Sequence, residues 1–285
     1  MNMICRPAKK EDRAQILEIT SNTWEGWDYV PLVLDRWYRE GGIFVAEKNQ
    51  EVVGVTKTTP LSPGEWWLEG IRVKEGLRGQ GIGRQLAFYQ LGEALKKHPR
   101  VIRLSTAEVN KESIRLIEKM GFSLVHIFTY VELHNPKART PFDHISGVND
   151  PEELQKTITQ SEFLNESRGL IPWSWIFMEP SPHFLRASSA AEQYFVYEDK
   201  GVISGILLLR PHRYEDSQIE LSLIDASTAQ ILNILFELAI HIAALGKKGK
   251  IGFFSPSGRL EKQAQDAGFF FPYDFRKVLV YELVP

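Results

Sequence analysis

A chain of 285 residues is long enough for two domains of ordinary size, each with its own buried core. Its 34 lysines and arginines stand against 36 acids, so no net field recruits nucleic acid or a membrane surface. No apolar run approaches the roughly 18 residues of a spanning helix.

The N-terminal stretch lacks the apolar segment of a secretory signal. The one cysteine, Cys5, has no internal disulfide partner, so a reducing cytoplasm is the expected setting. Seven scattered histidines give no metal-site spacing, and no metal is expected.

In chain order, residues 4–6 read as a short strand, followed by a helix whose apolar face is Ala14, Ile16, Leu17 and Ile19. Residues 21–42 hold a dense aromatic group, Trp24, Trp27, Tyr29 and Trp37, around a turn that also carries Asp28. Residues 43–47 and 51–58 form a predicted hairpin. The next strand, EWWLEGIRV, alternates so that Glu65, Trp67, Glu69, Ile71 and Val73 share one face. An acid on a strand face needs a reason, because an isolated buried carboxylate is costly. A helix over 84–97, a strand over 101–106 and a second helix over 110–122 follow.

Between strand and helix lies Arg78-Gly79-Gln80-Gly81-Ile82-Gly83, with Arg84 at its far rim. Glycines let the main chain approach a bulky anion, and the first N–H groups of a helix are unpaired at the positive end of its dipole. Strand, glycine-rich turn and helix start together make a diphosphate cradle. A dinucleotide fingerprint would need glycine where Arg84 stands, and a triphosphate loop would need Gly-Lys-Ser or Gly-Lys-Thr.

The pattern R-x-x-G-x-G resembles the acetyl-CoA signature of the GNAT superfamily of acyl-CoA N-acyltransferases, and the likeness extends over residues 3–133. It implies an α/β (α+β) fold, a mixed, mostly antiparallel sheet with helices on both faces. Acetyl-CoA is the implied co-substrate. Its diphosphate would lie on Arg78, Gly79, Gln80, Gly81, Ile82, Gly83 and Arg84, and its pantetheine on main-chain groups of Ile71, Arg72 and Val73. Asn110 and Ser113 stand where the family contacts CoA, and Trp24, Asp28 and Tyr29 lie in the segment that covers the acceptor side. Where many members have a tyrosine able to protonate the leaving thiolate, this chain has Ile117. Either another hydroxyl serves, Tyr29 or Tyr130, or the thiolate leaves without an acid, which its low basicity permits.

Acetyl transfer to an amine requires loss of an ammonium proton, which a carboxylate takes directly or through water. Glu65 matches the general-base glutamate of some members. Glu69, nearer the thioester, is the competing choice.

Residues 134–150 are rich in turn formers, and beyond them the chain repeats itself. Phe44-Val45-Ala46-Glu47 returns as Phe195-Val196-Tyr197-Glu198 and Glu69 as Glu220, at an offset of 151; Gly121-Phe122 returns as Gly268-Phe269 at 147. The missing residues fall where the cradle should be, now Asp225-Ala226-Ser227-Thr228. The expected plan is a GNAT domain over 1–137 and a second GNAT-like domain over 138–285 that lacks the diphosphate loop, so the fold is present twice.

The expected activity is direct attack of a primary amine on acetyl-CoA in a ternary complex. The segment GWDYVP with WLEGIRV resembles a subgroup acting on an amino acid, implying a small-molecule amine as acceptor. Protein N-termini, lysines and aminoglycoside-like amines stay open, as does a non-catalytic CoA-binding or sensing module. No nucleic acid or membrane partner is expected, and the chain is expected to be a monomer or homodimer.

Overall fold

The strand-like runs up to residue 107 become five strands in the computed structural model, which describes residues 3–21, 28–139, 142–147, 151–180 and 193–285. These are β1 (Met3–Pro7), β2 (Ile43–Lys48), β3 (Glu51–Ser62), β4 (Glu65–Val73) and β5 (Val101–Ala107), ordered β1-β2-β3-β4-β5. The first four pair antiparallel, and β5 runs parallel to β4.

Helices cover both faces. The helix α1 spans Arg13–Ser21 and α2 spans Val30–Glu40. With proline in its first turn, α2 buries Val30, Val33, Leu34 and Trp37, a stripe at helical spacing. The helix α3 (Ile82–Leu95) sets Ile82 and Leu86 against Phe44, Ala46 and Val53. The opposite face of β3 points Lys57 at Glu40 of α2.

The remaining elements are α4 (Lys111–Lys119), β6 (Ser123–His134), β7 (Ile145–Gly147), α5 (Pro151–Thr159), α6 (Glu162–Glu166), β8 (Ile171–Trp173), β9 (Ile176–Met178), β10 (Gln193–Asp199), β11 (Val202–Pro211), β12 (Gln218–Ala226), α7 (Ala229–Leu245), β13 (Lys250–Ser255), α8 (Gly258–Asp266) and β14 (Lys277–Leu283). The repeat is visible in their starts. The strand β11 begins 151 residues after β3, and α8 begins 147 after α4.

Contacts divide the chain into two units. The first is Met1–Leu104, Arg115–Ser123 and Glu282–Pro285; the second is Ser105–Ile114 and Leu124–Tyr281. Neither is one stretch of chain, and the parting differs from the line drawn at 137/138. The reason is strand pairing: β6 comes from the first half of the sequence but bonds to β13, with Glu132 opposite Gly252. Within the second unit the order is β14-β6-β13-β12-β11-β10-β7, and β12 to β13 is again the parallel pair. No helix among the described residues is long and apolar enough to cross a membrane.

Candidate active site

The turn between β4 and α3 leaves its main chain open at two glycines. Gly79 and Gly81 have φ of +77° and +80°, and a Cβ at either would meet nothing within 4 Å. Positive φ is strained for residues with a side chain, and the vacant space lies where a bulky group would rest on the main chain. Gly81 is the N-cap of α3 and no side chain caps the helix, so its first N–H groups remain available. Ile82 is buried in the core with Leu86, which anchors the turn from beneath. Arg78, Gln80 and Arg84 are exposed, Gln80 accepting a hydrogen bond from Lys48. These residues fit a diphosphate.

Strand β4 departs from simple alternation. Glu69 lies opposite Lys57 and Arg72 opposite Val55, so Gly70 and Ile71 together face Thr56 in a bulge. Gly70 has φ +75°, and a Cβ there would stand 2.5 Å from the Trp37 ring. Only glycine suits both demands.

The bulge flips the register, so Glu69, Ile71 and Val73 do not share a face as alternation predicts. Glu69 and Arg72 instead meet Tyr29 from one side. The Tyr29 hydroxyl is 3.5 Å from Glu69 Oε2, and the Arg72 guanidinium lies 5.5 Å from the Tyr29 ring centre. Pairing of β4 with β5 runs only from Glu65 to Trp67, so beyond that point β4 has no β5 partner among the described residues. The Ile71–Val73 main chain lies on this unpaired length, as a pantetheine site would require.

The two candidate carboxylates have different surroundings. Glu65 is fully buried; Arg103 donates to its Oε1 at 2.5 Å, and Ser62 donates to Oε2 at 2.9 Å. Arg103 also reaches Glu282 at 3.0 Å. This arrangement is a buried ion-pair network, and it occupies Glu65 from both sides. Glu69 is half-buried and accepts a 2.6 Å hydrogen bond from the Thr59 hydroxyl at Oε1.

Asp28 is likewise occupied. Arg72 donates to both its oxygens, at 2.6 and 2.9 Å, and the Val30 N–H donates at 3.1 Å. Burial alone would lower the Arg72 pKa, but the Asp28 hydrogen bonds lift it above its ordinary value. Asp28 therefore joins the loop before α2 to β4 and has little capacity left for a ligand. Trp24 lies outside the described residues.

Residues 13–122 match the acetyltransferase (GNAT) family. The chain carries a GNAT acetyltransferase domain. It is 25% identical over 202 residues to histidine N-acetyltransferase of Oreochromis niloticus, covering 65% of this chain and 60% of that one. The matched stretch thus spans less than two thirds of that relative. A GCN5-related N-acetyltransferase from Sphaerobacter thermophilus superposes over 99% of this chain and 95% of its own, with a TM-score of 0.68 and 13% identity. A tandem GNAT protein from the clavulanic acid biosynthesis pathway covers 99% and 98%, with a TM-score of 0.63 and 13% identity.

In the GNAT domain Ile117 is buried where many members carry tyrosine. Asn110 and Ser113 belong to the second unit, where the Asn110 side chain accepts from the Ser113 N–H and caps α4. That cap was readable from an asparagine three residues before a serine N–H donor. Tyr130 also belongs to the second unit; it is buried and donates to Glu132 at 2.8 Å. Burial and the neighbouring Glu220 and Glu132 push its pKa well above 10.

Where α3 opens on an uncapped glycine, α7 opens on Thr228, whose hydroxyl accepts from the Ile231 N–H at 3.2 Å. Asp225 accepts from the Glu162 N–H and ion-pairs with Arg259 at 3.7 Å. The Ile231 N–H at the helix start already has its acceptor, and an acid stands beside it.

The second unit holds its own polar cluster. Gln218 donates to Glu220 and Tyr130, and His134 pairs with Glu132 at 2.6 Å. Burial pushes Glu220 from an ordinary 4.5 up to about 8, aided by Glu132. The folded chain therefore holds this proton more tightly, and stability falls as pH rises from 4.5 through about 8. His212, lowered by burial from 6.5 to about 4, slopes the other way below 6.5. Above that pH the Glu220 slope stands alone between these two, so Glu220→Gln is expected to lose less melting temperature than wild type between pH 6.5 and 8. Thermal melts at the two pH values check it, and equal losses would refute it.

Among the described residues no group of three or more histidine, cysteine or acidic side chains is placed to hold a metal.

Proposed function

We propose that the first unit catalyses transfer of an acetyl group from acetyl-CoA to the primary amine of a small molecule, an amino acid being the best-supported class. The observation that carries this reading is the uncapped α3 start behind Gly79 and Gly81, joined to a β4 strand whose far length lacks a β5 partner. Acetyl-CoA supplies the acyl group as an activated thioester. Arg78 to Arg84 would hold its diphosphate by main-chain N–H groups, and the Ile71–Val73 main chain would orient the pantetheine. Such fixed donors raise rates by stabilising developing charge.

Glu69 is the proposed base. It is half-buried and oriented by Thr59, whereas Glu65 is locked to Arg103. Proton removal by Glu69 frees the amine to attack the thioester carbon directly; the C–S bond breaks and CoA leaves as its thiolate, with Tyr29 beside Glu69 on the acceptor side. The name of the Oreochromis niloticus relative makes histidine the first acceptor to try. The second unit, with Thr228 and Asp225 at its α7 start, is proposed to bind no CoA diphosphate. Domains over 1–137 and 138–285 remain the proposed evolutionary units.

Thiol release from acetyl-CoA across a panel of L-histidine, other amino acids, polyamines and N-terminal peptides tests this reading. Amine-dependent release is expected. Binding of acetyl-CoA with no release for any amine would favour the non-catalytic module. Gly81→Ala puts a methyl group on a residue with φ +80°, in the space meant for the phosphate. It is expected to raise KM for acetyl-CoA about tenfold, equal to roughly 1.4 kcal/mol, and to change kcat less. An unchanged KM would remove the cradle from the account.

A further inference from the structure

We infer that Lys57 and Thr59 are positioning residues for Glu69, an assignment that rests on Glu69 being the base. Lys57 lies on β3 directly opposite Glu69 and has no exposed surface. A buried ammonium is expensive unless its hydrogens are all used. Its Nζ donates to the Thr58 carbonyl and to Thr59 Oγ1, both at 3.0 Å, and lies 3.4 Å from Glu40 Oε2 at the end of α2.

The chemistry of these groups fixes the direction of the next bond. An ammonium only donates, so Thr59 Oγ1 must accept from Lys57. The hydroxyl hydrogen is then turned away from Lys57 and donated to Glu69 Oε1, at 2.6 Å. A threonine hydroxyl rotates in isolation, but this one is set by the cation behind it. Oε1 is thereby committed as an acceptor, which stops rotation of the carboxylate. Oε2, which accepts from the Tyr29 hydroxyl at 3.5 Å, is the oxygen on the acceptor side. The Glu69 carbonyl is held as well, by the Thr56 hydroxyl at 3.1 Å beside the bulge. A hydrophobic residue at 57 would fill the same volume without the desolvation cost of a charge. The charge is used to aim a hydroxyl.

The test compares wild type, Thr59→Val, Thr59→Ser, Lys57→Met and Glu69→Gln with acetyl-CoA and whichever panel amine the wild type turns over fastest. Thr59→Val is expected to lower kcat about 10- to 100-fold with KM for acetyl-CoA unchanged. Thr59→Ser keeps the hydroxyl and is expected within about threefold of wild type. Lys57→Met is expected to follow Thr59→Val. Thr59→Val added to Glu69→Gln is expected to cost nothing further, because the residue it positions is already gone.

Equal loss in Thr59→Val and Thr59→Ser would mean that packing, and not the hydroxyl, matters, and would overturn the inference. So would wild-type kcat in Thr59→Val while Glu69→Gln is inactive, although Glu69 would stand as base. Wild-type activity in Glu69→Gln would remove the base itself and the inference with it. Thermal melts of each variant separate loss of fold from loss of rate; should Thr59→Val melt below the assay temperature, Lys57→Met carries the test, and wild-type kcat in it would overturn the inference.

Discussion

Glu69→Gln lowers kcat by about 100- to 10,000-fold and leaves the melting temperature within a few degrees of wild type. That rate loss is the usual contribution of a positioned general base. Glutamine keeps the shape and can still accept from Thr59, so the β3–β4 contact survives while the proton acceptor is lost. Glu65→Gln behaves in the opposite way. Its carboxylate sits in full burial against Arg103, and neutralising it leaves a cation with Glu282 as its remaining acidic partner in this network. Stability falls, while kcat of the folded fraction stays within about threefold of wild type. Steady-state kinetics beside thermal melts on both variants separates the two roles. A large kcat loss in Glu65→Gln with none in Glu69→Gln would exchange them.

Asp28→Ala costs about 3–5 kcal/mol of stability, the usual result of removing one partner from a buried ion pair. Both side chains are inaccessible, and two short hydrogen bonds are lost together. Arg72 would remain inside without its carboxylate, and the Val30 N–H would lose its acceptor at the start of α2. Chemical denaturation measures the loss directly. A change below about 1 kcal/mol would show that the pair adds little, as exposed pairs do. The same variant is expected to weaken acceptor turnover, because Tyr29 stands next to Asp28 and its ring lies by Arg72.

How much of the site was legible depends on how local each feature is. The proposed cradle is six consecutive residues, and its glycines are plain in the letters, with Gly79 and Gly81 at positive φ. The choice between Glu65 and Glu69 could not be read there, because period-two alternation treats them alike. What separates them is Arg103, which arrives from a neighbouring strand 38 residues on. The change of face after Glu69 has a local sign: a lone glycine inside a strand pattern marks a bulge. Gly70 carries it, under the Trp37 ring. The Asp28–Arg72 pair spans 44 residues and left no local sign.

The units show the same division. Repeated segments at offsets of 151 and 147 are visible in the letters, and the elements begin at those spacings. That β6 would bond to β13 was not visible, since strand partners are chosen by edge hydrogen bonds and side-chain fit across more than a hundred residues.

By itself the sequence determined where a strand, a glycine-rich turn and a helix follow one another, and where the repeat lacks those glycines, because those depend on neighbours within a turn or two. Only the tertiary structure decided which carboxylate is neutralised and which is aimed, because burial and ion pairing are set by residues distant in the chain.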